Sequence, residues 1–390
     1  MHAYRADVAF DGERRRPDGA LVLVDDGHIV AVEPASAAAP DGCQVTHLPG
    51  TTLLPGLVDS HVHLCADSGP RALEQVPELS AAELTAVIDT AERQQLAAGV
   101  TAVRDLGDHH WAVVERGSGN GPTVVAAGPP LTSPGGHCSS MGGETTGVEA
   151  LRRAVRERAE RGAGVVKIMA SGGVMTPGTD LLACQFTLEE MLAVVGEAHE
   201  HGLSVTAHAH GLPAVERALE AGVDGIEHCS CLTHSGPRLP RALGDRLAAA
   251  GTYVCPTLGR VPGVETPPHV QARLEVVGAS YDDHLVHVAE LRRAGVTLVA
   301  GTDAGIGPNK RHGLVPHGVA DLVACGVPAG EALAAATSVA ARACGLEGST
   351  GRLAAGLDAD LLLVDGDPLL DISALQRPRL VVSRGRRIGS

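Results

Sequence analysis

The stretch Leu57-Val58-Asp59-Ser60-His61-Val62-His63 places two histidines one residue apart. Pro55-Gly56 marks a turn before it, and Leu57-Val58 reads as the start of a buried strand. Side chains two apart on a strand point the same way. His61 and His63 therefore project together from one strand end, and two imidazoles aimed at one point are half of a metal site. With 19 histidines in 390 residues, a lone His-x-His also arises by chance. Polar residues ending a strand are the plain alternative until further ligands are found.

Lysine usage supplies a second lead. Lys167 and Lys310 are the only lysines among 31 basic residues. Where arginine serves wherever a charge suffices, a retained lysine points to a need for its amine. An amine can become a neutral nucleophile when buried, and a guanidinium cannot. Lys167 lies in the apolar run Gly164-Val165-Val166-Lys167-Ile168-Met169-Ala170. An unpaired ammonium there is costly. The plain alternative is a head that snorkels to water at the strand end.

The elements that must position these residues alternate. Apolar spacing predicts a helix from Ala81 to Ala98, stopped at Gly99, then a strand Val100–Asp105 and a strand Thr123–Ala127. A charged helix, Val148–Arg161, precedes the Lys167 strand. Thr187-Leu188-Glu189-Glu190 is a capping box opening a helix to His201. Strand Leu203–His208, helix Pro213–Ala221 and strand Val223–His228 follow, then helix Leu239–Ala250 and strand Thr252–Pro256. A long helix, His269–Arg293, leads to strand Val296–Asp303, and helices Val315–Cys325 and Pro328–Cys344 end the series. This rhythm predicts an α/β fold, a closed (β/α)8 TIM barrel over residues 53–349. An open doubly wound sheet is disfavoured, because no Gly-x-Gly-x-x-Gly turn opens the first unit.

Both chain ends read differently. Ala20–Val24 and Ile29–Val32 flank Asp26-Gly27, and Asp360–Val364 precedes Asp365-Gly366. Asp-Gly between apolar runs is a hairpin signal. Residues 1–52 and 350–390 are expected to form one small β-sandwich domain.

Composition narrows the function classes. A net charge of −15 argues against nucleic acid and anionic membrane surfaces. Three Tyr, two Phe and one Trp leave an aliphatic core and no stacking platform for single strands. No apolar run is long enough to span a bilayer and the N-terminus has no signal core, so a soluble, cytoplasmic protein is expected. Nine scattered cysteines suggest reduced thiols. Cys229-x-Cys231 is a weak candidate for a thiolate pair, because paired Cys ligands usually sit further apart.

In a barrel the C-terminal strand ends meet on one face. His61, His63, Lys167, His208, His228 and Asp303 all end or follow an apolar run. Any one of them alone could be a satisfied polar residue. Their common placement at strand ends is hard to obtain by chance.

This pattern resembles the amidohydrolase superfamily over nearly the whole chain. The resemblance rests on Pro55–His63, Val166-Lys167-Ile168, Ala207-His208-Ala209-His210-Gly211, Ile226-Glu227-His228, Gly301-Thr302-Asp303-Ala304-Gly305 and Gly356–Leu361. Lys167–Val174 and Ala207–Gly211 look like the branch of Xaa-Pro dipeptidases and imidazolonepropionase-related hydrolases. The resemblance implies a pair of divalent metals, usually zinc, bridged by a carbamate that carbon dioxide forms on Lys167. It implies His61, His63 and Asp303 on the first metal, and His208 and His228 on the second. A hydroxide bridging the metals would attack an amide carbonyl, with Asp303 as general base and then acid.

His208 takes the family's ligand position, which leaves His210 one step above the metals as a donor to substrate or as a solvated loop residue. His137, in Gly135-Gly136-His137-Cys138, is by resemblance a donor to the carbonyl oxygen, otherwise a loop histidine. His312 and His317 either line the mouth or lie on the surface. The expected substrate is a small peptide-like or N-acyl amino acid, with no nucleic acid or membrane partner. Arg71, Arg260 and Arg311 are loop candidates for its carboxylate. A cyclic amide, lactone or ester would suit the same metal pair. A mononuclear cyclic-amidine deaminase fits less well, because Lys167 is present and Gly211 stands where that class carries Glu. Family members often pair, so a homo-oligomer is expected.

Overall fold

The computed structural model describes residues 1–389. The strands nearest the two termini build two sheets. One orders His28–Glu33, Ala20–Asp25, His2–Ala6 and Gln44–His47; the other orders Arg386–Arg387, Pro378–Ser383, Leu361–Asp365, Thr51–Pro55, Val8–Phe10 and Arg15–Arg16. Thr51–Pro55 runs antiparallel to Leu361–Asp365, with Leu54 opposite Leu362, so the chain ends are tied to each other. Tyr4, Val22, Leu53, Leu361 and Leu363, drawn from both sheets, share one apolar cluster. The expected hairpin is present: Asp26 (φ 45°) and Gly27 (φ 81°) take the left-handed pair that a tight two-residue turn requires.

Between these ends, helices alternate with parallel strands. Leu57–Val62 pairs with Val100–Asp105, and that strand with Thr123–Ala126. Gly164 N to Ala126 O and a bridge from Leu131 to Ile168 carry the pairing to Val165–Met169. Ser204–Gly211, Gly225–Thr233 and Tyr253–Cys255 follow in order. Val254 bonds to Thr297 and Val299, and residues 300–304 return to the first strand through Ser60 N to Ala300 O at 3.0 Å and Asp303 N to His61 O at 2.8 Å. Aliphatic residues fill the interface between strands and helices, among them Leu57, Val103, Val166, Val205, Ile226 and Val254.

Some boundaries differ from the sequence reading. The long helix expected over His269–Arg293 is two helices, Pro268–Val276 and Tyr281–Arg293. Gly278 at φ 63° breaks it, and Ser280 with Asp283 forms a new capping box. The helix expected over Pro328–Cys344 is likewise divided, into Ala329–Ala335 and Ser338–Ala343, at a non-helical Thr337. The run expected as strand Val296–Asp303 pairs by isolated bridges only. Two strands run further than expected: Ser204–Gly211 includes His210, and Gly225–Thr233 passes His228. Among the described residues no helix is long and apolar enough to cross a membrane.

Candidate metal centre

The first strand delivers His61 and His63 to one point, as its alternation requires. Their Nε2 atoms each lie 3.3 Å from Oδ1 of Asp303. The Asp303 backbone is left-handed, φ 58°, while its N–H is tied to His61 O at 2.8 Å. A non-glycine residue held there is strained, and such strain clusters at functional sites. Beneath it, Asp59 accepts from Thr302 N at 2.9 Å and from Thr302 Oγ1 at 2.6 Å, locking the strand Leu57–Val62 to residues 300–304.

Each ring is oriented by a second contact. His63 Nδ1 donates to Gly107 O at 3.1 Å, and His61 Nδ1 to Glu227 Oε2 at 2.8 Å. Both Nε2 lone pairs are thereby left toward Asp303. His208 Nε2 donates to Gly172 O at 3.0 Å, and His228 Nδ1 pairs with Thr257 Oγ1 at 2.9 Å. His210 Nδ1 meets Ser230 Oγ at 3.0 Å.

The ligand atoms of His61, His63 and Asp303 lie within 4.8 Å of one another, and so do those of His208, His210 and His228. His210 thus lies within ligand distance of the His208 and His228 pair. Its ring stacks on His228 with centroids 4.5 Å apart, because the strand continues through it. A third group, His61, Glu227 and Cys255, meets the same 4.8 Å limit. There Glu227 is already engaged, and burial raises the Cys255 thiol well above its usual range.

Burial dominates the electrostatics. It lowers His61 to about 4 and His137 and His210 to about 3. His208 and His228 also fall well below the ordinary value, again mainly by burial. Burial acts on His63 too, but its hydrogen bond and charge contact with Asp303 outweigh it and raise that ring. The other rings favour the neutral form, which is the metal-binding form of imidazole. Burial alone would raise Asp303, but His61 and His63 outweigh it and hold the carboxyl far below the carboxylate range.

Lys167 is 1% exposed, and its Nζ has no hydrogen-bond partner. Burial lowers its pKa. It lines the same cavity as both clusters. An orphaned amine among imidazoles and a carboxylate is a donor set that fits divalent metal once the amine is converted to an anion.

The remaining sequence candidates separate. His137 lines the cavity, its Nδ1 on Thr176 Oγ1 at 2.8 Å. Gly173 lets it approach: a Cβ there would sit 2.3 Å from His137 Nε2. Arg260 lines the cavity, whereas Arg71 is exposed and paired with Glu78 at 2.6 Å. Arg311, His312 and His317 line a different groove. Cys229 and Cys231 are buried in the apolar core and belong to none of the three metal-competent groups found among the described residues.

Glu227 and Arg104 escape the sequence reading as site residues. Arg104 Nη2 donates to Glu227 Oε1 at 2.9 Å, and Thr206 Oγ1 donates to the same oxygen at 2.5 Å. Alternation should put Glu227 and His228 on opposite faces. His228 has φ 64°, which breaks the alternation and turns both inward. Lys310 is also a wall residue, its Nζ donating to Thr257 O at 2.6 Å. Its rarity as a lysine was the available signal.

Comparison with known proteins agrees with this geometry. The model of the amidohydrolase family matches residues 52–388. An ochratoxinase of Aspergillus niger is 31% identical over 419 aligned positions, covering 95% of this chain and 82% of its own length. An imidazolonepropionase of Salinispora tropica is 28% identical over 377 positions, covering 91% of this chain and 88% of its own. The crystal structure of a Xaa-Pro dipeptidase with bound methionine in the active site superposes with a TM-score of 0.87 at 27% identity, covering 99% of each chain.

Proposed function

This chain belongs to the amidohydrolase family, whose members are metal-dependent hydrolases, and from that premise we propose a binuclear enzyme that cleaves the amide bond of a small peptide-like or N-acyl amino acid substrate. The observation that carries the proposal is Lys167: a buried amine with no partner, in one cavity with two metal-competent clusters. Its lowered pKa favours the neutral amine, the form that reacts with carbon dioxide to give a carbamate. The resulting anion would serve both clusters. The neighbour's bound methionine, an amino acid with a free carboxylate, supports the substrate class.

In this reading the scaffold is a (β/α)8 barrel over residues 53–349, with the terminal segments 1–52 and 350–390 as a β-sandwich. Nine cysteines without a disulfide among them support a cytoplasmic setting. His61, His63 and Asp303 would hold one metal, His208 and His228 the other, zinc being the expected ion, with carbamylated Lys167 between them. Bound metals supply Lewis-acid polarisation of the scissile carbonyl and a lowered pKa for water. Asp303, held by His61 and His63, takes a proton from the attacking water and delivers it to the leaving nitrogen. His137 and His210 stand on the cavity wall where they can donate to the carbonyl oxygen as it gains charge. Glu227 and Arg104 keep His61 in the tautomer that leaves Nε2 free. A cyclic amide is the second reading, favoured by the similarity to an imidazolonepropionase.

The test is elemental mass spectrometry of protein purified without chelator and with bicarbonate, followed by a screen of N-acyl amino acids and dipeptides. About two divalent ions per chain are expected. A protein that takes up no metal under these conditions would overturn the proposal.

A further inference from the structure

We propose that Lys310 and Arg260 form an anion subsite beside the histidine cluster, which selects ligands carrying a carboxylate next to the amine nitrogen. The inference rests on the amide-hydrolase reading above and deepens it. Arg260 follows the strand Tyr253–Cys255, and Lys310 follows the last parallel run, residues 300–304. Both residues line the cavity, and Val261 N donates to Asn309 O at 3.0 Å, which brings their two loops together.

Thr257 connects this wall to the metal-competent cluster. Its carbonyl accepts the Lys310 ammonium at 2.6 Å, and its hydroxyl meets His228 Nδ1 at 2.9 Å. A single residue thus separates the ammonium from the histidines. The Arg260 guanidinium lies 3.8 Å from the centroid of the Tyr281 ring, and its Nη1 donates to Thr266 Oγ1 at 2.9 Å. The Tyr281 hydroxyl in turn donates to Asp321 at 2.7 Å, which fixes the ring. Stacking and one hydrogen bond hold the guanidinium in place and leave donors free.

Both cations bond to neutral oxygens, and among the described residues neither forms an ion pair. This runs against the composition, since 46 acidic residues outnumber 31 basic ones. Arg71, Arg104 and Arg116 each find a carboxylate. Asp303 and Asp321 act on Lys310 only through space, without an ion-pair contact. Cations in a partly desolvated wall with no direct carboxylate partner gain from a ligand that supplies one. Met169, Val174, Val270, Leu274 and Ile306 make much of the remaining wall apolar and can take a side chain but not a charge. In an N-acyl amino acid the α-carboxylate is only one carbon from the amide nitrogen. That short reach suits a cation one residue away from the histidine cluster.

The test compares matched ligands that differ only in charge. kcat/KM is measured on the metal-loaded enzyme for N-acetyl-L-methionine and its carboxamide. Binding of L-methionine and L-methioninamide is measured separately by calorimetry, independent of turnover. Wild type should prefer the free acid by at least about tenfold in both readouts. Lys310→Met should bring that ratio toward one, mainly through KM. Arg260→Met should lower it, and Lys310→Arg should restore part of it. A ratio near one in wild type, or one that survives in both methionine variants, would overturn the subsite. A preference for bound L-methionine that depends on Lys310, with no amide hydrolysed, would sustain the subsite and sink the amide-hydrolase reading instead.

Discussion

Glu227 stands between Arg104 and His61, taking the guanidinium on Oε1 at 2.9 Å and the imidazole N–H on Oε2 at 2.8 Å. All three side chains are buried. Burial alone would raise the Glu227 pKa, but Arg104 and His61 outweigh it and keep the carboxyl well below its usual range. The ring is therefore held by a charged acceptor. Glu227→Gln preserves volume and removes that charge. Affinity for the metal should fall about 10- to 100-fold, as read by competition with a chelator. Unchanged affinity would mean that Glu227 does not govern the His61 ring.

Arg104→Met tests the other half of the pair. It leaves Glu227 buried with its charge less compensated, so the cost is that of an unbalanced buried charge rather than of one lost bond. Urea unfolding of metal-free protein should show a loss on the order of 3–5 kcal/mol. A loss well under 1 kcal/mol would show that Glu227 gains a proton or another partner without cost.

Lys167 predicts an opposition between stability and activity. Its amine is buried with no partner, so Lys167→Met removes the cost of burying an unsatisfied polar group while keeping most of the side chain. The metal-free melting temperature should stay equal or rise. Turnover of the metal-loaded protein should vanish, and Lys167→Arg should fail as well, since a guanidinium cannot carry a carbamate. Substantial activity in either variant would remove Lys167 from the mechanism.

Asp303 touches both His61 and His63, each at 3.3 Å, so its role can be separated from bulk. Asp303→Asn keeps the shape but cannot accept the proton. kcat should fall at least about a hundredfold in protein whose metal content has been checked. Near-normal kcat at full metal content would assign the proton to another group.

The parts of this site that were legible in the sequence share a physical basis. Alternation on a strand pairs His61 with His63, and the cost of a charge in an apolar run singles out Lys167. Glu227 was not legible, because the left-handed backbone at His228 cancels the alternation that a sequence reader must assume. Arg260 was legible only as one of three loop arginines and Lys310 only as a rare lysine, because no periodicity fixes direction on a loop. The broken helix over 269–293 was readable in principle. Ser280-Tyr281-Asp282-Asp283 has the spacing of a capping box, but the apolar pattern runs across it without a gap.

His312, outside the cavity, adds to the fold's sensitivity to acid. Its Nε2 donates to Ala66 O at 3.1 Å, so Nδ1 is bare and faces Gln95 Nε2 at 3.4 Å. Gln95 Oε1 is occupied by Gly313 N at 3.2 Å, which keeps the amide nitrogen toward the ring. A proton on Nδ1 would set donor against donor. Burial lowers His312 to about 4 from an ordinary 6.5. The unfolded chain therefore binds the extra proton first as pH falls. The stabilisation is complete above pH 6.5 and is lost as pH falls toward 4. At pH 5 the loss is on the order of 2 kcal/mol. His312→Gln cannot take this proton. The stability gap between wild type and variant, from urea unfolding of metal-free protein, should shrink by roughly that 2 kcal/mol between pH 7 and pH 5. A gap that does not change with pH would mean that the ring accepts its proton inside the fold as readily as in the unfolded chain.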